Sequence, residues 1–317
     1  MHRGVVAALL GLAVAVSAGC APSRAPAAGS TISAAVPSVT PSPTPSPTPT
    51  PKPSRVPTAP KTVRVPPKAP EATPTYRSLE KTYLVRNKIY STGQVPAVPC
   101  ELPQIALTTR REVQLYASAV LGCLQRAWKP VVERSDVVFS SANVYAVNAG
   151  SKTRCGILTK EVGGFYCSAG SGIYLDWRQF VEEDAYDRVW AGVYLQFTMA
   201  HEFGHHVQEL VGISSYFEDR WDRTTGAAQL EQMRRHELQA SCFASAFIGA
   251  NQQTLHLYDE DRLQDYEDAA YSGDDDPPAV KPEHGSRKSS TAWAEAAFKA
   301  KSPSACNTWS VPPSKVT

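Results

Sequence analysis

Three kinds of sequence feature are weak or missing in this chain of 317 residues, and each absence excludes a class of protein. The formal net charge at pH 7 is only +2, which is too small to argue for a nucleic-acid partner. None of the seven cysteines stands in C-x-x-C spacing, which argues against the thiols as zinc ligands. The apolar run from Val5 to Val16 is too short to span a bilayer as a helix. We therefore expect neither nucleic-acid binding nor an N-terminal membrane-spanning helix.

The N-terminal apolar run instead fits the core of a signal peptide. Arg3 precedes the run, and small residues follow it up to Cys20. The stretch Ser17-Ala18-Gly19-Cys20 resembles a bacterial lipobox, although a larger aliphatic residue usually stands where Ser17 does. We predict a signal peptide over residues 1–20, export, and a lipid anchor at Cys20 on the outer face of the cytoplasmic membrane. Ordinary cleavage nearby, followed by secretion, is the alternative.

Residues 21–75 form a low-complexity segment that holds 16 of the 26 prolines. Repeats such as Pro41-Ser42-Pro43-Thr44-Pro45 cannot form a packed core and favour an extended polyproline II spacer. We predict a disordered linker rich in Pro, Ser and Thr. Its basic charges suit either a stalk that contacts acidic cell-wall polymers or a solvated spacer without a partner. The remaining residues, 76–317, suit one folded domain.

Six cysteines remain if Cys20 is lipidated, and an even number in an oxidising compartment is typical of three disulfides. Sequence alone allows fifteen pairings of six cysteines. Cys155 and Cys167 flank a short turn-rich segment, and a bond between Cys242 and Cys306 would join a predicted helix to the C-terminus. We favour the pairs Cys100 with Cys123, Cys155 with Cys167, and Cys242 with Cys306.

The segment from His201 to His206 contains the pattern H-E-x-x-H. Positions i and i+4 lie on one face of a helix, so His201 and His205 can share a zinc ion. Glu202 points about 100° away and can act as general base toward a water whose pKa the metal lowers to about 7. The histidines continue an apolar, core-facing stripe of upstream aromatic residues at helical spacing, namely Trp190, Tyr194 and Phe197. The alternative is a pair of hydrogen-bonded core histidines without a metal.

A zinc site needs a third protein ligand. Gln208 and Val211 stand where the metzincin pattern would place glycine and histidine, which excludes that class. Glu237 lies within the apolar stripe of a second predicted helix, and a carboxylate on a buried face needs a cation. A surface position is the alternative for this glutamate. We predict the zinc ligands His201, His205 and Glu237. Two neighbouring histidines point off the ligand face and are expected toward solvent or around the ligands, namely His206 and His236.

Hydrophobic periodicity predicts a helix-rich α+β domain with a small sheet. In it, the H-E-x-x-H helix packs against the second ligand-bearing helix. The predicted helices cover residues 112–128, 177–183, 187–211, 226–250 and 290–299, and the predicted strands cover 136–147 and 172–176. The acidic run Asp274-Asp275-Asp276 lies beside two prolines, so we interpret it as a solvated loop rather than a calcium site.

Four blocks resemble the bacterial putative neutral zinc metallopeptidases, and their order and approximate spacing match that family from about residue 76 to 308. They are Cys155-Gly156 with Phe165-Tyr166-Cys167 and Ile173-Tyr174-Leu175-Asp176; His201 to Gln208; Glu237-Leu238-Gln239-Ala240-Ser241-Cys242; and His284-Gly285-Ser286 with Trp293 and Cys306-Asn307-Thr308. The second and third blocks are the specific ones. The resemblance implies a zincin-like catalytic domain of an exported lipoprotein that hydrolyses peptide bonds with Zn²⁺. It also implies His201, His205 and Glu237 as ligands, with Glu202 as general base.

One departure from the family concerns Ser241, where aspartate is usual. On gluzincin-like helices that carboxylate orients a ligand histidine, and serine brings no charge, so the resemblance implies a weaker or slower site. The mechanism also needs a hydrogen-bond donor for the tetrahedral oxyanion. His284, in a loop beside glycine, is the candidate, and a purely structural histidine is the alternative. Tyr166 and Tyr174 are the next candidates.

Three functions remain open from the sequence. The leading one is an exported zinc metallopeptidase that acts on peptide or protein substrates. A catalytically weak or inactive scaffold that binds a cell-surface partner is the alternative, and Ser241 favours it. A hydrolase of cell-wall peptide cross-links would use the same chemistry on a different substrate.

Overall fold

The computed structural model describes residues 75–159, 163–274 and 281–317. The predicted signal peptide, the predicted anchor at Cys20, nearly all of the predicted linker, and Asp275 and Asp276 lie outside these residues. The helices of the described residues are α1 (Tyr76–Glu80), α2 (Arg110–Glu133), α3 (Trp177–Tyr186), α4 (Arg188–Leu210), α5 (Ile213–Asp222), α6 (Gly226–Asn251), α7 (Glu260–Tyr271) and α8 (Arg287–Ala300). The strands are β1 (Asn143–Val147), β2 (Lys152–Thr153), β3 (Gly156–Ile157), β4 (Gly164–Cys167) and β5 (Gly172–Asp176). The described residues also contain one π-helical segment, Lys81–Val85, and several short 3-10 turns.

Helix α4 carries the H-E-x-x-H pattern and has clear signals at both ends. The carboxylate of Asp187 accepts hydrogen bonds from the backbone N–H groups of Val189 and Trp190, which caps the N-terminus. At the other end Gly212 adopts φ 76°, a left-handed conformation that glycine reaches without strain. The chain turns there and α5 begins at once. Our prediction for α4 is correct to within one residue at each end.

A three-stranded sheet lies on one side of the helices, in the order β1-β5-β4. β1 pairs with β5 in parallel and β4 pairs with β5 in antiparallel orientation. The register aligns Tyr145, Tyr174 and Phe165 across the three strands, with ring centroids 5.0 and 5.4 Å apart. β1 packs against α2 and β4 against α4, so the edge strand β4 lies beside the H-E-x-x-H helix. Strands β2 and β3 form a separate hairpin.

The core lies where α2, α4 and α6 meet. Its largest side chains are fully buried aromatic rings, and the rings of Trp128 from α2 and Phe243 from α6 meet edge to face at 5.4 Å. Phe203 of α4 and Phe247 of α6 are also fully buried. Burial of this apolar surface fixes α4 and α6 side by side. Among the described residues, no helix combines the length and apolar character needed to cross a bilayer.

The three favoured disulfide pairings are confirmed. The Cα atoms are 5.4 Å apart for Cys100 and Cys123, 5.7 Å for Cys155 and Cys167, and 5.5 Å for Cys242 and Cys306. The second bridge ties β4 to the β2–β3 turn. The third ties α6 to the C-terminal segment that follows α8.

The predicted fold class, helix-rich α+β, is confirmed, but several element boundaries differ. The predicted strand over 136–147 is wrong in its first half, because β1 begins at Asn143 and Val138 is 88% exposed. We did not predict α5, α7 or β4. α2 and α8 extend beyond their predicted ends, whereas α6 and β5 agree with the prediction to within one residue.

Candidate metal centre

Helices α4 and α6 come into backbone contact at one glycine. A Cβ placed on Gly204 would lie only 2.6 Å from the carbonyl oxygen of Ala240. The missing side chain therefore allows the two helices to approach more closely than any other residue would permit. This contact holds His201 and His205 on α4 opposite Glu237 on α6.

The three predicted ligands meet at a single point. The Nε2 atoms of His201 and His205 lie 3.2 Å apart, and each lies 3.2 Å from Oε2 of Glu237. Their side chains are only 12–13% exposed. Within the described residues this trio is the group that could hold a metal ion. The structure thus brings together the residues that the sequence singled out.

The spacing of the trio fits zinc. Donors bound to a tetrahedral zinc at 2.0–2.1 Å are about 3.3 Å from one another, which is close to the observed triangle. Burial opposes charge on His205, but the Glu237 carboxylate outweighs it and raises the pKa of His205 to about 9. Burial likewise disfavours the charged form of Glu237, but the positive charge of His205 and the hydrogen bonds from the histidines hold the pKa of Glu237 well below its usual range. A buried carboxylate between two imidazoles is thus a site for positive charge.

Each ligand histidine has a partner for its other ring nitrogen. Nδ1 of His201 lies 2.9 Å from Oγ of Ser241, and Nδ1 of His205 lies 2.8 Å from Oε1 of Gln208. When Nδ1 donates to these oxygens, Nε2 keeps the lone pair that a metal requires. The sequence resemblance implied that position 241 faces a ligand histidine, and Ser241 does so. We missed Gln208, although its position three residues after His205 is one helical turn away.

Glu202 lies in the same cleft as the trio. Its side chain is buried, and it lines a cleft of about 390 Å³ together with the three candidate ligands. Phe165 and Tyr166 of β4, Phe217 and Glu218 of α5, and Met233 of α6 form further parts of its wall. The upstream aromatic stripe that we predicted to face the core is only partly buried. Of its three residues only Phe197 is buried, while Trp190 and Tyr194 remain partly exposed.

His284 stands at the mouth of this cleft. Its ring is 61% exposed, with Nε2 3.7 Å from Oε2 of Glu237 and Nδ1 3.7 Å from Oδ1 of Asp274. The backbone N–H groups of His284 and Gly285 donate to Oδ2 of Asp274 at 2.6 and 2.7 Å. Hydrogen bonding of the ring to the Asp274 carboxylate raises the pKa of His284 to about 9. The interpretation of Asp274 as part of a solvated loop is therefore wrong, because its carboxylate holds the His284 loop.

The two tyrosine candidates differ in position. Tyr166 lines the cleft, and its hydroxyl lies 3.0 Å from Nδ1 of His206. Burial raises the pKa of Tyr166 to about 12, so the phenol keeps its proton. Tyr174 does not line the cleft, because its ring is stacked between Tyr145 and Phe165 on the sheet.

His206 and His236 do not face solvent, and that part of our expectation is wrong. His206 is completely buried, with Nε2 2.9 Å from the carbonyl oxygen of Ser140, and burial lowers its pKa. His236 is 8% exposed and stacks on Phe217 at 4.2 Å and on His205 at 4.8 Å. Burial lowers the pKa of His236 to about 4, so a neutral ring packs behind the ligand. The other expected position, beside the ligand residues, holds for His236, which packs on His205.

Comparisons with known proteins agree with this geometry. The protein family described as "Putative neutral zinc metallopeptidase" matches residues 82–309. A relative from Escherichia coli K12, named "Uncharacterized protein YpfJ", is 28% identical over 208 residues, which are 62% of this chain and 72% of that protein. "Uncharacterized protein Rv2575" from Mycobacterium tuberculosis H37Rv is 28% identical over 138 residues, 43% of this chain and 44% of its own length. "Uncharacterized protein Mb2605" from Mycobacterium bovis matches to the same extent.

No solved structure matches the chain significantly. The family match extends over most of the chain and includes both helices of the candidate centre. The chain therefore belongs to the putative neutral zinc metallopeptidase family, and zinc is the metal that its His-His-Glu cluster fits.

Proposed function

We propose that this protein is an exported zinc metallopeptidase that hydrolyses peptide bonds in peptide or protein substrates. One observation carries the proposal: a His-His-Glu triangle with 3.2 Å sides shares an accessible cleft with the glutamate of the H-E-x-x-H pattern. His201, His205 and Glu237 hold the metal. Family membership supports the assignment to hydrolases.

Zinc, when bound, supplies Lewis-acid chemistry that acidifies water and polarises a carbonyl group. The protein's own part in the reaction falls first to Glu202. Its carboxylate accepts a proton from the attacking water and later delivers that proton to the leaving nitrogen of the peptide. Its burial in the cleft wall limits competing contacts with solvent. Glu202 is thus the general base and then the general acid.

His284 is the proposed donor to the oxyanion. Its ring lies at the cleft mouth beside Glu237, and Asp274 fixes the loop through two backbone N–H groups. A ring held in this way can donate a hydrogen bond to negative charge that develops on the substrate oxygen. Tyr166 is the less favoured donor, because its hydroxyl is already engaged with His206. Changing His284 to Ala should lower kcat and leave zinc content intact; an unchanged kcat would remove it from the mechanism.

The test of the proposal is Glu202→Gln, which keeps the shape of the side chain and removes the base. We expect the variant to bind one zinc per chain and to lose peptide hydrolysis by a factor of about 10²–10⁴. Glu182→Gln, at an exposed position of α3, is the matched control and should keep full activity. Equal activity of the Glu202 variant and the wild type would overturn the proposed mechanism.

The proposed location is the outer face of the cytoplasmic membrane, through a lipid on Cys20. The Pro-rich segment after it would carry the domain outward as a stalk and bring it near the cell wall. Metabolic labelling with a palmitate analogue tests this directly, because Cys20→Ala should abolish incorporation of the label. Unchanged labelling of that variant, or no labelling of the wild type, would contradict the anchor. Digestion of purified peptidoglycan would identify cell-wall cross-links as the substrate.

The second candidate function is a scaffold with little or no turnover that binds a cell-surface partner. Ser241 favours this function, since its uncharged hydroxyl is the partner of His201. Stoichiometric zinc binding without cleavage of a broad peptide library would support the scaffold. Cleavage of any library peptide that disappears in Glu202→Gln would exclude it.

A further inference from the structure

Two glutamine side chains behind the metal centre are completely buried. Gln208 on α4 and Gln239 on α6 each have an exposed fraction of 0%. Buried amides are costly unless both their N–H and C=O groups find partners. Both side chains are fully engaged, and together they connect the ligand His205 to the C-terminal segment.

Two partners of Gln239 have only one hydrogen-bonding role, and they determine the orientation of its amide. The indole N–H of Trp309 can only donate, and it lies 3.3 Å from Oε1 of Gln239. The backbone carbonyl of Cys306 can only accept, and it lies 2.9 Å from Nε2. Tyr90 donates its own hydroxyl proton to the carbonyl of Leu84, so its oxygen accepts from Nε2 of Gln239 at 2.8 Å. Rotating this amide by 180° would break the contacts with Trp309 and Cys306, since neither partner can change its role.

The fixed amide of Gln239 in turn fixes Gln208. Nε2 of Gln208 donates to Oε1 of Gln239 at 3.0 Å and to the carbonyl of His236 at 2.8 Å. Oε1 of Gln208 must therefore be the atom that faces Nδ1 of His205, at 2.8 Å. A carbonyl oxygen there requires the proton on Nδ1. The lone pair of Nε2 then points toward His201 and Glu237.

We propose that Gln239 is a positioning residue of the metal centre, which acts through Gln208 to hold His205 in its metal-binding orientation. Gln239 makes its hydrogen bonds to Gln208, Tyr90, Cys306 and Trp309 rather than to a ligand side chain. The relay begins at the C-terminal segment, which the Cys242–Cys306 disulfide ties to α6. The inference rests on the proposed metal centre and adds to it a requirement for residues far from the cleft.

The test is zinc affinity of the oxidised full-length chain, measured by competition with a chromophoric chelator. Gln239→Met keeps the length of the side chain and removes both polar groups. We expect it to weaken zinc binding about 10-fold, within the usual range for partners of metal ligands. Substitution of cobalt for zinc gives a second readout, because altered orientation of His205 should change the visible absorption of bound Co²⁺.

A double-variant comparison separates a relay from general destabilisation. If Gln239 acts through Gln208, the double variant Gln208→Met, Gln239→Met binds zinc no more weakly than Gln208→Met alone. Additive losses would overturn the relay. Asn251→Leu is the matched control, because Asn251 is also a buried amide on α6 with three hydrogen bonds, but it lies about 18 Å further along the helix. It should lower the Tm and leave zinc affinity unchanged.

The remaining outcomes of these measurements are also decisive. If Gln239→Met does not fold, Trp309→Phe replaces it, since this change removes the N–H that orients the amide and keeps an aromatic ring at the position. Weaker zinc binding by Trp309→Phe supports the inference, and wild-type affinity overturns it. Wild-type protein that binds no zinc would overturn the metal centre itself. If Gln239→Met binds zinc as tightly as the wild type does, the positioning role is overturned and the metal centre is not.

Discussion

The hydroxyl oxygen of Ser241 lies 2.9 Å from Nδ1 of His201 and thus occupies the position that orients this ligand. Serine can accept the Nδ1–H hydrogen bond but adds no negative charge to the imidazole. The strength of the metal site therefore depends on a side chain one helical turn after Glu237.

Ser241→Asp should strengthen the centre. A carboxylate at this position would make a charge-assisted hydrogen bond to His201, so we expect zinc to bind about 10-fold more tightly and kcat/KM to rise. Ser241→Ala should weaken zinc binding. The measurements are chelator competition and peptide turnover. Ser245→Ala, one turn further along α6, removes a hydroxyl that donates to a backbone carbonyl and serves as control. Weaker zinc binding by Ser241→Asp would show that the site has no room for the charge.

Gly204→Ala should separate the two ligand-bearing helices. The added Cβ would overlap the carbonyl of Ala240 at 2.6 Å, so we expect a loss of roughly 1–3 kcal/mol in the free energy of unfolding, together with weaker zinc binding. Thermal unfolding and chelator competition measure the two effects. Gly192→Ala is the control on the same helix, because a Cβ there would meet only the Tyr116 hydroxyl, at 3.5 Å. An unchanged Tm for Gly204→Ala would contradict the close packing.

The cleft should prefer cationic substrates. Besides Glu202 and the candidate ligand Glu237, the cleft is lined by three further carboxylates, those of Glu209, Glu218 and Glu283. Its described lining contains no lysine or arginine. A lysine near the cleaved bond should raise kcat/KM about 10-fold over a glutamate, and high salt should reduce the difference.

Glu209→Gln tests this preference, since Glu209 lies on α4 one turn beyond His205. The variant should lower the lysine-to-glutamate ratio of kcat/KM without changing zinc content. Glu182→Gln, outside the cleft, should leave the ratio as it is. Equal cleavage of both peptides by the wild type would contradict the charge argument.

Asp265 on α7 should make the fold less stable as pH rises. Burial and the nearby carboxylates of Asp187, Asp268 and Asp261 raise its pKa from 3.8 to about 6, with Arg262 opposing them. Because the folded state releases this proton less readily than the unfolded state, stability falls as pH rises from about 4 to 6 and stays lower above that. Asp265→Asn should therefore raise the Tm at pH 7.5 and have no such effect near pH 4. Thermal unfolding at the two pH values measures the difference, and an equal gain in Tm at both would contradict this role of Asp265.

Elements with strong local signals could be predicted from the sequence. The long apolar periodicity located α4 and α6, and the H-E-x-x-H spacing with one glutamate in an apolar stripe identified the trio. Helix α5 was missed because it starts one residue after the turn that ends α4. The apolar residues Val137 and Val138 suggested a strand that no neighbour pairs with in the described structure.

The contacts around the site could not be predicted in the same way. Gln239 approaches Gln208 and Cys306 over separations of 31 and 67 residues, and the carboxylate of Asp274 binds the backbone of His284, ten residues later in the chain. Such contacts follow from tertiary packing, and no local pattern encodes them. Gly204 is an intermediate case, since its position between the two histidines was visible but its contact with Ala240 was not.

The division of the ligands between two helices has a consequence for the lifetime of the protein. Two ligands lie on α4 and the third on α6, so unfolding that separates the helices leaves an incomplete site that binds metal far more weakly. Zinc then stabilises the native state by mass action, and each tenfold rise in free zinc above Kd adds about 1.4 kcal/mol. Scarcity of metal would lower the unfolding temperature as well as the catalytic rate.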